Sequence, residues 1–101
     1  MAITKFQPNQ APRAIFLSED FHSMTQGDLS IMEFGKKMKM AADALRDVGH
    51  PVIEATLVLN LLRDMHPKFS NTKDIVAGTK NISFDEALDQ FTLKELLRLA
   101  N

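Results

Sequence analysis

Apolar residues recur at steps of three and four along most of this chain, and the clearest run lies near its middle. Phe34, Met38, Ala41, Leu45 and Val48 fall on one face of an α-helix. Ser30 stands where an N-cap belongs, with a hydroxyl able to accept from the orphan amides of the first turn. Glu33, three residues on, reaches back to the Ser30 amide and completes a capping box. Leu29 and Phe34 flank it as a hydrophobic staple. Gly49 suits a left-handed C′ position, and Pro51 forbids simple continuation.

The same reading predicts four further helices. Pro12 suits the first position of a helix with Ala14, Leu17, Phe21 and Met24 inward and Gly27 closing it, which leaves Ile15 and Phe16 pointing elsewhere. Residues 1–11, with Pro8, Asn9 and Gln10 and little periodicity, read as a flexible leader before one domain over 12–101. A third helix over 51–65 is apolar round most of its circumference, with Thr56, Asn60 and Arg63 as its polar stripe. Such a helix is either the centre of the domain or has its second face covered by a partner. His66-Pro67 then breaks the chain before a short helix over 69–77 ending at Gly78. Ser83-Phe84-Asp85-Glu86 repeats the capping box and opens a last helix to about residue 99. Phe84, Ala87, Leu88 and Phe91 face inward, and Glu95 continues that face while Leu93, Leu96, Leu97 and Ala100 turn to the other side. No stretch alternates with period two for long enough to make a strand. The expected class is all-α, a compact bundle of about five helices.

Composition narrows the function more than the fold. An apolar content of 45% over 101 residues is that of one globular domain. Net charge is −1, so no overall field recruits nucleic acid or an anionic membrane. The absence of cysteine removes disulfides, thiolate nucleophiles and cysteine zinc sites, and suits a reducing compartment. With no long apolar run and no signal-peptide pattern, the expected location is cytoplasmic, with the nucleus as the alternative.

Candidate chemistry is sparse. His22, His50 and His66 lie on separate segments without ligand spacing, and two of them sit beside prolines or at helix ends, where a dipole role is usual. Asp43 and Asp47 form an i,i+4 carboxylate pair opposite the apolar stripe, with Lys39 and Arg46 beside them as a solvated ion-paired face. No nucleotide-binding loop, nucleophile elbow or dinucleotide fingerprint occurs. The expectation is therefore a protein with no catalytic, cofactor-binding or metal-binding residues. Lys36, Lys37 and Lys39 are the one basic cluster and the candidate nucleic-acid contact, diluted by Glu33, Asp43 and Asp47 and without Trp or Tyr for base stacking. Met32 and Met40 fall off the inner face and suit a contact surface.

An ordered series of motifs carries a resemblance. Gln26-Gly27-Asp28-Leu29-Ser30-Ile31-x-Glu33-Phe34 is followed by Ala42-Asp43-Ala44-Leu45, Val48-Gly49-His50-Pro51-Val52 and Thr56-Leu57-Val58-Leu59-Asn60-Leu61-Leu62-Arg63. Then come Pro67-x-Phe69, Asp74-Ile75 and Phe84-x-x-Ala87-Leu88-Asp89-Gln90-x-x-Leu93-Lys94-Glu95-Leu96. Over about residues 13–100 this resembles the gag polypeptide of Ty1/copia-type long-terminal-repeat retrotransposons. The Gln26-Gly27 turn and the helix after it are also similar to the major homology region of retroviral capsid C-terminal domains.

The resemblance implies a capsid-lobe-like, non-enzymatic self-association module, dimeric or of higher order. It implies a polar network bracing the turn through Gln26, Gly27, Ser30, Glu33 and Lys37. It makes the third helix the association surface, through Ile53, Leu57, Val58, Leu61, Leu62 and Met65. The alternatives are a domesticated gag fragment that binds a host protein or blocks assembly of a related gag, and a gag segment that binds RNA. Two positions depart from the family. Ile53 stands where a serine-type cap is usual, and Arg63-Asp64-Met65 replaces Arg-Gly-Leu, which opens the prospect of a helix continuing across that joint or exchanged between chains. Lys37 stands where the retroviral region usually has Arg.

Overall fold

The computed structural model describes residues 10–100. Among them are five α-helices: α1 (Gln10–Ser23), α2 (Ile31–Asp47), α3 (Glu54–Arg63), α4 (Ser70–Ala77) and α5 (Phe84–Ala100). A single 3₁₀ turn, Pro67–Phe69, precedes α4, and no strand occurs among the described residues. The class is all-α, as the periodicity predicts. Residues 1–9 of the expected leader lie outside the described residues, while Gln10 and Ala11 already belong to α1.

α2 is the central scaffold and is built as the pattern requires. Phe34, Met38, Ala41 and Leu45 are buried along one stripe, joined by Ile31. The capping box is complete: the Glu33 amide donates to Ser30 Oγ (3.1 Å) and the Ser30 amide donates to Glu33 Oε1 (3.0 Å). A side-chain cap of this kind is worth about 1 kcal/mol. Leu29 packs against the core that holds Phe34. At the other end the His50 amide reaches the Leu45 carbonyl and the Gly49 amide reaches Arg46, a Schellman closure with Gly49 at φ +85°.

α1 packs on α2 through Ala14, Phe21 and, just past its end, Met24, all buried, with Leu17 half-buried. Its bounds differ from the expectation at both ends. The helix is formed two residues before Pro12, which therefore sits within the first turn, where a missing N–H is harmless. It stops at Ser23, and Gly27 instead serves the tight turn that follows, at φ +54°.

α3 is shorter than 51–65. Pro51, Val52 and Ile53 are an extended entry, and Ile53 occupies the N-cap with no side-chain hydrogen bond. The helix ends at Arg63, and Asp64 caps it at φ −100°, so the joint needs no glycine and the helix does not run on. α4 closes at Gly78 in helical geometry, φ −86°, and the left-handed residue of the following turn is Asn81 at φ +56°. α5 opens with its own capping box, the Ser83 amide on Glu86 Oε1 (3.0 Å) and the Glu86 amide on Ser83 Oγ (3.1 Å).

Phe21, Phe34, Phe69, Phe84 and Phe91 fill the core, with Phe69 and Phe91 edge-to-face at 5.9 Å. Gly35, which the periodicity did not single out, explains how closely α2 and α5 approach. A Cβ there would stand 2.6 Å from the Leu88 methyls. A mid-helix glycine costs about 1 kcal/mol relative to alanine, and that cost is the available signal of a packing reason.

Candidate interaction surfaces

Five polar side chains tie the helix ends together. Gln26 is buried: its backbone amide donates to the Asp64 carbonyl (3.1 Å), its Nε2 donates to the Leu29 carbonyl (2.9 Å), and its Oε1 accepts from the His66 amide (3.0 Å). Asn60 is 2% exposed and donates from Nδ2 to the Phe21 carbonyl (2.8 Å). Arg63 donates to the His22 carbonyl (2.8 Å) and to Asn60 Oδ1. The polar stripe of α3 thus does not face solvent at Asn60. With Arg63 it accepts the task of capping two orphan carbonyls at the end of α1. Glu95 acts from α5, both carboxylate oxygens accepting from the Ile31 amide (3.2 and 3.3 Å) at the positive end of α2. Glu54 does the same for α5 by accepting from the Phe84 amide.

The expected turn network is accordingly divided. Gln26 braces the turn against the end of α3 and Gly27 supplies its positive φ, whereas the Ser30 and Glu33 side chains bond only to each other's backbone amides. Lys37 is exposed and takes part in none of the hydrogen bonds or ion pairs among the described residues. The Ser30 backbone amide, and after it the Ser30 hydroxyl, hold the Glu33 carboxyl below its ordinary value of 4.5.

The expected association surface is corrected more sharply. Leu57, Val58, Leu61 and Met65 are buried in the chain's own core, Leu62 is half-buried against it, and Ile53 alone of the six is largely exposed. Most of the greasiness of α3 is satisfied from within, because α2 and α5 both pack on it. Leu59 is the one large apolar residue of the helix proper that remains exposed.

Exposed apolar area gathers elsewhere. Leu93, Leu96, Leu97 and Leu99, 53–77% exposed, crowd the last two turns of α5. A second patch borders an open groove of about 550 Å³ between α1 and the entry to α3. Its lining includes Ala14, Ile15, Phe21, His50 and Ile53, with Ile15 and Ile53 exposed at the rim. The groove is apolar for most of its surface, and its lining also includes His22 and His50, the latter closing α2 as the C″ residue.

The remaining candidates disperse. Lys39 pairs with Asp85 (3.2 Å) and lies over the Phe84 ring (5.8 Å), so it bridges α2 to α5, while Lys36 and Lys37 stay exposed. Asp43 pairs with Arg46 (3.4 Å) on the solvated face, as expected. His66 differs from a C-terminal dipole role: its Nδ1 accepts from the Lys68 amide (3.1 Å) and starts the 3₁₀ turn. Among the described residues no three His, Cys, Asp or Glu side chains converge on a common point, and no helix is long and apolar enough to cross a membrane. Compared with known proteins, the chain matches no family model, no curated relative and no solved structure.

Proposed function

We propose that this chain is a non-enzymatic association module that binds further copies of itself. The supporting observation is the row Leu93, Leu96 and Leu97 on α5, exposed at i, i+3 and i+4 beyond the reach of the bundle. Leucines in solvent on one helix face at that spacing are the pattern by which helices associate, and a contiguous apolar patch of this kind marks an interaction site. This moves the contact away from α3, most of whose large apolar residues are spent on the core. The ordered motifs shared with copia-type gag agree in kind with assembly as the activity. Sedimentation equilibrium over a wide concentration range tests it: dimers or larger species are expected for the unaltered chain, and a monomer at the highest concentration overturns the reading.

The groove supports a second reading, a gag-derived adaptor that takes an apolar helix or strand of another protein between α1 and the α3 entry. It predicts hetero-binding that Ile53→Asp abolishes while any self-association is unchanged.

A further inference from the structure

The groove between α1 and the entry to α3 has a direction. Asn60 and Arg63, near the end of α3, donate to the carbonyls of Phe21 and His22, near the end of α1. The two helices therefore run side by side in the same sense, and the α3 entry stands beside the first half of α1. Ile15 and Ser18 line the groove from α1, Ile53 and Thr56 from the α3 side, and Leu45 from the end of α2. The exposed leucines of α5 do not come near it within one chain. Glu95 meets the Ile31 amide in the first turn of α2, and Leu45 lies about 21 Å further along that helix at 1.5 Å a residue.

The residues ahead of α1 are within reach. α1 begins at Gln10, and Ile15 and Ser18 follow about 8 and 12 Å along it. Residues 1–9 carry Ile3 and Phe6, with Lys5 as their one charged side chain. At up to about 3.3 Å a residue, Phe6 reaches about 13 Å from Gln10 and Ile3 about 23 Å, enough to run the length of the groove after a reversal. Pro8 and Asn9, between Phe6 and α1, are residue types that favour a reversal.

We propose that the occupant of the groove is this chain's own residues 3–6, doubled back over α1 as an autoinhibitory strap anchored by Ile3 and Phe6. The proposal rests on the reading of the groove as a binding site and adds the regulation of that site. A tether of a few residues holds the segment beside the groove at an effective concentration on the order of millimolar. Two apolar side chains entering a groove of about 550 Å³ make a weak contact, which counts when tethered and is negligible between separate molecules. A partner with a longer apolar helix displaces such a strap, whereas stray apolar surface does not.

The test compares nitrogen–proton correlation spectra of the full chain and of Ile3→Ser/Phe6→Ser. Amide shifts are expected to differ at Ile15, Ser18, Ile53 and Thr56 and to coincide over α4 and α5. A synthetic peptide of residues 1–9, added at millimolar concentration to the double variant, is expected to return the groove shifts toward those of the unaltered chain. Titration with the apolar dye anilinonaphthalene sulfonate separates strap from groove. Freeing a groove that is covered half of the time raises dye affinity about twofold, so at least that gain is expected in the double variant. Ile53→Asp in the same background is expected to remove it, and Asp is itself a favoured N-cap, so α3 keeps its start. Coincident groove shifts, or equal dye affinity with and without Ile3 and Phe6, overturn the strap. If Ile53→Asp still weakens dye binding in that case, the groove stands as a binding site without its strap. Dye binding that Ile53→Asp leaves unchanged overturns the groove reading as well.

Discussion

α3 and the second half of α5 are the two greasiest stretches of the chain, and the structure treats them in opposite ways. α3 buries Leu57, Val58 and Leu61 between α2 and α5 and leaves Leu59 as its one exposed large apolar residue. The end of α5 keeps Leu93, Leu96, Leu97 and Leu99 in solvent, because the bundle stops beside Phe91 and Glu95. Equal hydrophobicity therefore has two meanings, a core in one place and an available face in the other. What separates them is how many elements stand within reach of the helix, a property of the assembled bundle.

Substitution can break that contrast directly. Leu61→Asp places a carboxylate at a position with no exposed surface and is expected to cost at least about 4 kcal/mol, a large share of the stability of a domain this size. A urea titration should show loss of the cooperative transition or a greatly lowered midpoint. Leu96→Asp, the same chemical change on the solvent face of α5, is expected to alter monomer stability by no more than about 0.5 kcal/mol while abolishing association. A midpoint shift of similar size in both variants would sink the distinction.

Asn60→Ala sharpens the contrast from the polar side. It strands the Phe21 carbonyl and releases the Arg63 guanidinium from one partner, so about 2 kcal/mol should be lost, read from the same titration. If Asn60 lay on a solvated stripe, as its spacing suggests, the change would be nearly silent.

The smallest effect expected is at Glu33. Its folded pKa is depressed, so its contribution to stability is present above the unfolded value and lost as pH falls through the folded one. Stability measured at falling acid pH should decline less steeply in Glu33→Gln than in the unaltered chain. Identical slopes would show that the capping carboxylate does not couple to folding.

Much of the architecture follows from local rules that the sequence carries by itself. Ser30 with Glu33, Ser83 with Glu86 and Gly49 declare their helix ends because the groups that satisfy one another lie within one turn. The stripes Phe34–Met38–Ala41–Leu45 and Phe84–Ala87–Phe91 are legible for the same reason, since helical period alone decides which residues share a face. The expected end of α1 at Gly27 shows the limit: a glycine with positive φ fits a turn as well as a C′ position, and the chain places it in the turn.

Everything decided by partners distant in sequence needed the tertiary structure. Asn60 and Arg63 look like solvent-facing residues until the end of α1 arrives with two unpaired carbonyls. Glu95 and Glu54 look like surface acids until each meets the first amide of another helix, 64 and 30 residues away in sequence. Gln26 was legible as important, and its partners at the end of α3 were not. The apolar circumference of α3 leaves core and partner surface both open, because composition records how much surface a helix must hide and carries no information on what hides it. The sequence by itself determined five helices, the capping boxes of α2 and α5, the close of α2 at Gly49 and the apolar stripes of α2 and α5, all set by interactions within a turn or two. Only the bundle decided which greasy helix became core and which stayed in solvent, because that depends on where the other helices end.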